Sequence, residues 1–543
     1  MKQSHVQGLS ALLLGFSLSG STAFADEASE SFHAERALAL PAMTACLENA
    51  VAAGTANRSL SGIAVAVILD GHVVYHRGFG TVSLASTQPV LPSTRFRIGS
   101  ITKSMTATAL LSLAEEGRID LHAPVSRLLP GFVLDGEPGW SERITPHRLL
   151  SHQAGIKDSQ DTDGPRDDGA LAAAFYDPAF LQRIPLLVAP GTFYNYSNTN
   201  FMLAGLLVET AAGRPYREAM RRRVFKPLGM TRTTFLLSDV MADGDVASGV
   251  LDQAIVPPDA YDHAIERPAG YAWASVDDLA RFMKFIIAGN PEVLSPRMWR
   301  TMQTRHVNTL QLLDLEGYGY GLVVEKDAGF RDSQGQLNLY EGVKVVWHDG
   351  AIDGYTSFFS TVPGMRFGYA VLINGNYTSP ETNPVPCYQA AALETIGSRL
   401  PPPAPWPGPD IQRDRFGDYV GEYADRINLT GPAIVTRAPS GALNIRFPML
   451  DEAGIPYDPV LHPYNRDNFA WFVLNLQLEV TGIRESRDGP ITYLRLRPTV
   501  LARTPPQPAA FNAQVASGHA LDRRAIERAL RAAASEQAMR MSE

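Results

Sequence analysis

Strand-forming runs stand at both ends of the first four hundred residues, and helical patterns fill the space between. Near the start, Gly62 to Leu69 and His72 to Tyr75 flank Asp70-Gly71, and β-branched runs on either side of such a pair signal a hairpin. Strand signals return at 320–324, 343–347, 356–362 and 367–374. Helical spacing covers 36–54 (Leu38, Met43, Cys46, Leu47, Val51) and 101–116, the latter closing at Gly117. Helical and loop patterns then continue to about residue 300, and a last helix pattern covers 388–400. The economical solution is one antiparallel sheet built from both ends, with a helical subdomain inserted in its middle. Helices from the two ends would share one face of that sheet.

A chain of 543 residues exceeds one ordinary domain. The proline-rich run 401–409 marks a stiff linker and a boundary. Beyond it, strand-like runs at 419–423, 433–437, 442–447, 470–481 and 491–497 are separated by turn signals such as Ser440-Gly441 and Asp488-Gly489. They predict a small all-β barrel over 410–503. The tail, 504–543, begins proline-rich and carries a helix candidate over 522–541, expected to order only on contact with something else.

At the other end, Lys2, the apolar run 9–18 and Ala23-Phe24-Ala25 form the pattern of a cleavable export signal over 1–25. That run is shorter than the roughly 20 residues a membrane-spanning helix needs, so no stable membrane span is expected. Cleavage after Ala25 would leave the 26–400 domain and the barrel in the periplasm or outside the cell. The net charge of -8 argues against nucleic acid as a partner, since phosphate binding needs clustered cations. There are 2 cysteines, Cys46 and Cys387, too few for a thiolate metal site. In an oxidising compartment they either form one disulfide, which helices on a shared face would allow, or stay as two buried thiols.

Three short motifs carry chemistry. In Gly99-Ser100-Ile101-Thr102-Lys103, the only Ser-x-x-Lys of the chain, residues three apart share a helix face. The Lys103 amine can therefore reach the Ser100 hydroxyl, and a buried lysine can lose its proton and serve as base. The helix N-terminus adds N–H groups that favour an oxyanion. Pro190 to Asn198 contains Tyr196, a proton relay if it lies near Lys103, and Asn198, a donor to the substrate's acyl side; alone the segment reads as a surface turn. Trp347-His348-Asp349-Gly350-Ala351 ends a strand. There Gly350 would let substrate backbone approach closely, and the Ala351 N–H would complete an oxyanion hole with that of Ser100.

In order and spacing, these motifs resemble those of the class C β-lactamase and penicillin-binding serine hydrolase family. Glu116 to Leu121, Leu149 to Ile156 and Phe225 to Met230 also look like the family, and the resemblance runs from about 36 to 400. It implies an α/β (α+β) fold of the β-lactamase type and a cleft in which Ser100 is acylated with Lys103 and Tyr196 as its activating pair. The Ser100 and Ala351 N–H groups would form the oxyanion hole, Asn198 and His348 would position substrate, and no metal or other cofactor would be needed. His152 is read as structural, making a helix-terminus or core hydrogen bond. The barrel is similar to lipocalin-like modules appended to some relatives, including D-aminopeptidase-type enzymes.

The third motif departs from true β-lactamases, which carry lysine where this chain has His348. His348 is the form resembling esterases and D-peptidases. Asp349 replaces a small or hydroxyl residue that helps to bind a substrate carboxylate. Two carboxylates about 4 Å apart repel by about 4 kcal/mol at intermediate dielectric, so β-lactams and other free acids are expected to be poor substrates. The leading expectation is a peptidase or amidase acting on short unusual peptides, with D-residues or derived from opened cyclic products. A carboxylesterase is the alternative; a β-lactamase or a catalytically silent penicillin-binding sensor ranks below both.

Overall fold

The computed structural model describes residues 37–159, 170–260, 262–310, 315–331, 336–375, 382–384, 386–486, 488–496 and 499–504, with 523, 524, 526, 527, 530 and 531 of the tail. The expected export signal and the rest of the tail lie outside the described residues. The first domain is built on an 8-stranded antiparallel sheet. Its strands are β1 (Leu60–Leu69), β2 (His72–Gly80), β3 (Val307–Asn308), β4 (Glu316–Tyr318), β5 (Val323–Glu325), β6 (Val345–Ile352), β7 (Tyr355–Val362) and β8 (Phe367–Gly375). They lie in the order β2-β1-β8-β7-β6-β5-β4-β3, so the first long strand pairs directly with the last.

Both faces of this sheet are covered, which explains why β1 reads as a continuous apolar run and not an alternating one. Ile63, Val65 and Val67 join a core with helices α1 (Pro41–Ala56) and, beyond the sheet, Cys387–Ile396. Their alternate neighbours Ala64, Ala66 and Ile68, also fully buried, turn to the opposite face. The helical region between the strands includes α2 (Ile101–Glu115), α3 (Asn198–Ala212) and α4 (Val276–Ala288), and Cys387–Ile396 is α5. Phe358 of β7 packs near Tyr388 of α5, whereas the next residue, Phe359, meets Phe282 of α4. Thus α1 and α5 lie on one face and α4 on the other. Cys46 of α1 and Cys387 of α5 form a disulfide.

Helix α2 is buried all round from Ile101 to Leu113, as expected for a helix enclosed on every side. Its hydroxyls stay satisfied by carbonyls: Thr102 bonds Gly99 O at 2.7 Å, Thr106 bonds Pro268 O at 2.7 Å, and Ser104 bonds Gly321 O at 2.6 Å. The single strand expected at 320–324 is instead the turn and start of a hairpin. Gly321, at φ 67°, takes a left-handed conformation that ends β4 before β5 begins.

The second domain is a closed barrel of β9 (Gly421–Asp425), β10 (Ala433–Arg437), β11 (Leu443–Arg446), β12 (Val460–Asn465), β13 (Asn468–Val473), β14 (Leu476–Arg484), β15 (Ile491–Leu496) and β16 (Thr499–Arg503). The run expected as one strand over 470–481 is two, joined by Leu474 and Asn475 at φ 53° and 61°; no glycine announces that turn. Pro463 inside β12 disguises another strand. The 401–409 run is docked rather than free: Ala404–Pro405 pairs with the strand Leu337–Tyr340. Ile526 and Leu530 of the tail are buried in the barrel's own core. Among the described residues, no helix is long and apolar enough to cross a membrane.

Candidate active site

Ser100 is the residue from which α2 starts, at φ −66° and ψ −10°. Gly99 before it sits at φ 48°, and a β-carbon there would lie 2.6 Å from Ala351 N. Both conditions demand glycine. Strand β6 pairs with β5 only over Val345–Trp347, so its continuation runs past the end of β5 and alongside the Ser100 turn. A β-carbon on Gly350 would come within 2.1 Å of Ile98 O and 2.9 Å of Ser100 N. Gly350 therefore admits the turn that carries Ser100. That close packing sets the Ser100 and Ala351 N–H groups beside each other.

Lys103, one turn along α2, has no exposed surface. Its Nζ donates to Ser100 Oγ at 2.8 Å, Asn198 Oδ1 at 2.6 Å and Ala269 O at 2.7 Å. None of these three acceptors is a carboxylate. A neutral amine can donate to the two carbonyl oxygens and still turn its lone pair to the Ser100 hydroxyl proton. Tyr196 OH donates to Ser100 Oγ at 2.9 Å, and its ring lies 4.9 Å from Lys103 Nζ. The structure thus gathers Ser100, Lys103, Tyr196 and Asn198 around one hydroxyl.

Supporting groups fix this cluster. Asn198 opens α3, and its N–H donates to Asp158 Oδ1 at 2.7 Å, a carboxylate at a helix N-terminus where the dipole favours it. His152 is buried below Tyr196, ring centroids 4.2 Å apart. Its Nδ1 accepts from Ser197 N at 3.2 Å and lies 3.1 Å from Asn200 Nδ2, the helix-terminus role expected of it. Arg97, three residues before Ser100, is enclosed between Trp273 and Tyr271, with Nη1 donating to Tyr271 O at 3.1 Å. Burial pulls its guanidinium down to about 10.

His348 is also fully buried. Its Nε2 lies 2.9 Å from Tyr318 OH and its Nδ1 2.6 Å from Asp349 O, so its ring braces β6 against β4. Asp349, beside it, keeps a 14% exposed side chain. Nothing in the sequence pointed to the Ala269 carbonyl, Asp158 or Tyr318 as partners. A backbone carbonyl carries no side-chain signature, and the other two lie far along the chain from the groups they meet. Among the described residues, no group of three or more His, Cys, Asp or Glu side chains is placed to hold a metal ion.

A family model described as Beta-lactamase matches residues 47–393, well over half the chain. The chain belongs to the β-lactamase family. Among curated proteins, this β-lactamase-family chain is 30% identical over 332 residues to an unguisins hydrolase of Aspergillus campestris (strain IBT 28561), the match covering 59% of each. It is 26% identical over 329 residues to the protein flp of Staphylococcus aureus (strain COL), covering 58% of this chain and 60% of that one. It thus spans about three-fifths of the curated relatives it matches. Among solved structures, the octameric penicillin-binding protein homologue from Pyrococcus abyssi aligns with 85% of this chain and 100% of its own at a TM-score of 0.55 and 27% identity. SurE aligns with 86% and 99% at a TM-score of 0.62 and 24% identity, a likeness of fold.

Proposed function

We propose that this β-lactamase-family chain is a serine hydrolase that works through an acyl-enzyme on Ser100. The observation that carries the reading is the Ser100 hydroxyl held between Lys103 Nζ at 2.8 Å and Tyr196 OH at 2.9 Å. Ser100 Oγ attacks the substrate carbonyl as its proton passes to Lys103, directly or through Tyr196. The Ser100 and Ala351 N–H groups take the oxyanion, and Asn198, its Oδ1 turned to Lys103, offers its Nδ2 to the acyl chain. Collapse expels an amine or alkoxide that regains a proton from Tyr196. Water then attacks the acyl-enzyme by the same steps in reverse and frees Ser100.

The preferred substrates are short peptides or amides without a free carboxylate at the Asp349 subsite, including peptides with D-residues or opened rings. Asp349 on β6, one residue from Gly350, supports the charge preference, and the curated Aspergillus relative is itself named a hydrolase. Work outside the cytoplasm belongs to the same proposal, supported by the 1–25 pattern and the Cys46–Cys387 disulfide.

The test is incubation of the mature protein and a Ser100→Ala control with L- and D-containing peptides and their esters, with products read by mass spectrometry. Peptide cleavage present only with Ser100 is the expected result. Cleavage of esters alone would move the reading to a carboxylesterase. No difference between the two proteins would overturn it.

A further inference from the structure

A buried guanidinium of the barrel grips the hydrolase domain. Arg495 of β15 is 6% exposed, and its Nη1 donates to Tyr194 O at 2.8 Å and to Thr309 O at 3.1 Å. Its Nη2 donates to Glu479 Oε1 at 3.2 Å and Thr481 Oγ at 3.0 Å, both on β14. Glu479 is held in turn, accepting from Thr481 Oγ at 2.7 Å and, through its other oxygen, from Tyr464 OH at 2.6 Å. Enclosing such an ion pair is costly unless its hydrogen bonds are made, and here the planar fork of arginine makes them in two directions at once. One edge is fixed by the barrel; the other grips backbone of the hydrolase domain.

The gripped points lead to the reaction centre. Tyr194 lies two residues before Tyr196, whose hydroxyl bonds Ser100 Oγ. Thr309 precedes Leu310, whose carbonyl accepts from Asn468 Nδ2 of β13 at 2.8 Å, and Val307, two residues before Thr309, pairs with Tyr318, the partner of His348. An apolar contact surrounds the grip: Leu187, Val188 and Phe193 pack with Ile483 and Val500 of the barrel.

We propose that Arg495 is a positioning residue of the hydrolytic site. By holding the Tyr194 carbonyl it sets where the Tyr196 hydroxyl stands over Ser100, so the barrel forms part of the active-site frame. This rests on the reading of Ser100 as nucleophile and Tyr196 as its proton relay. A misplacement of about 1 Å far from the chemistry is enough to slow turnover on the order of a hundredfold.

The test compares Arg495→Lys with Ile483→Ala in the full-length mature protein. Lysine keeps a positive charge opposite Glu479 but lacks the fork, whereas Ile483→Ala weakens the apolar docking and leaves the grip in place. With p-nitrophenyl acetate as probe, Arg495→Lys is expected to lower kcat at least tenfold with KM within twofold of the parent. Ile483→Ala is expected to lower Tm while kcat stays within twofold. A kcat for Arg495→Lys within twofold of the parent, or losses in both variants that simply follow Tm, would overturn the proposal. If the parent shows no Ser100-dependent turnover, the functional reading falls instead, and amide hydrogen exchange over 190–200 decides the grip. Faster exchange there in Arg495→Lys than in Ile483→Ala supports it, and equal exchange refutes it.

Discussion

A β-carbon at position 350 has nowhere to go: Ile98 O and Ser100 N are both backbone atoms and cannot swing aside as a side chain would. Gly350→Ala should therefore push β6 away from the Ser100 turn and separate the Ser100 and Ala351 N–H groups proposed as oxyanion donors. The expected loss is about a hundredfold or more in kcat/KM, the scale of one oxyanion-hole donor. It should be accompanied by about 1–3 kcal/mol of destabilisation from overpacking, read from Tm in parallel with the rate. If the rate held while Tm fell, the N–H pair would not be the oxyanion site. At this scale the sequence was informative about side chains near each other in the chain. Ser100 and Lys103 sit one helical turn apart, and that spacing alone predicts their contact. It was silent where the partner is main chain, as with Ala269 O on Lys103, and it did not show that Gly350 makes room for the Ser100 turn, because that crowding comes from a segment some 250 positions away.

Among the elements, the β4–β5–β6 edge carries an unusual acid. Glu325 pairs across from Glu316 on β4 and accepts from Trp347 Nε1 at 2.5 Å. Burial first, and then the neighbouring Glu316, push its carboxyl up to about 8. The folded protein thus keeps this proton between about pH 4.5 and 8, where the unfolded chain has released it. Stability is fully present below that window and is lost as pH rises through it, at roughly 1.4 kcal/mol per pH unit. Glu325→Gln keeps an acceptor for Trp347 and removes the titration. Its Tm should gain on the parent's steadily from pH 5 to pH 8; parallel Tm curves would show that the carboxyl is ionised throughout. Elements were legible where composition agrees with geometry, as in β1, whose apolar run reports burial on both faces. They were lost where it does not. The Leu474-Asn475 turn uses left-handed backbone without glycine, and Pro463 sits inside a strand, so two barrel strands merged in the sequence and another vanished.

For the whole molecule, the disulfide ties α1 to α5 across 341 positions of sequence. Closing so long a loop restricts the unfolded chain strongly, and removing such a link typically costs about 2–4 kcal/mol. Replacing Cys46 and Cys387 together by alanine should lower stability by that amount in denaturant titrations. Turnover at 25 °C should be unaffected, because α1 and α5 pack on each other and on β1 and β8, strands that carry none of the site residues. Loss of activity in the folded variant would place the link in the catalytic frame. The division into a sheet-based domain and a barrel was visible from the proline run and the turn spacing; that a barrel arginine grips backbone beside Tyr196 was not, since nothing in a sequence says which outer face of a barrel will dock.

The pairing of β1 with β8 has a consequence for how the chain comes into being. Leu69 meets Phe367 and Val65 meets Val371, so the hairpin made first waits for a partner synthesised some three hundred residues later. Until that strand emerges, β1 offers an open apolar edge, and such long-range closure is slow to form and exposed to aggregation. A nascent chain of this design has a built-in delay before it becomes a knot of finished structure, an interval in which it remains threadable through a narrow channel.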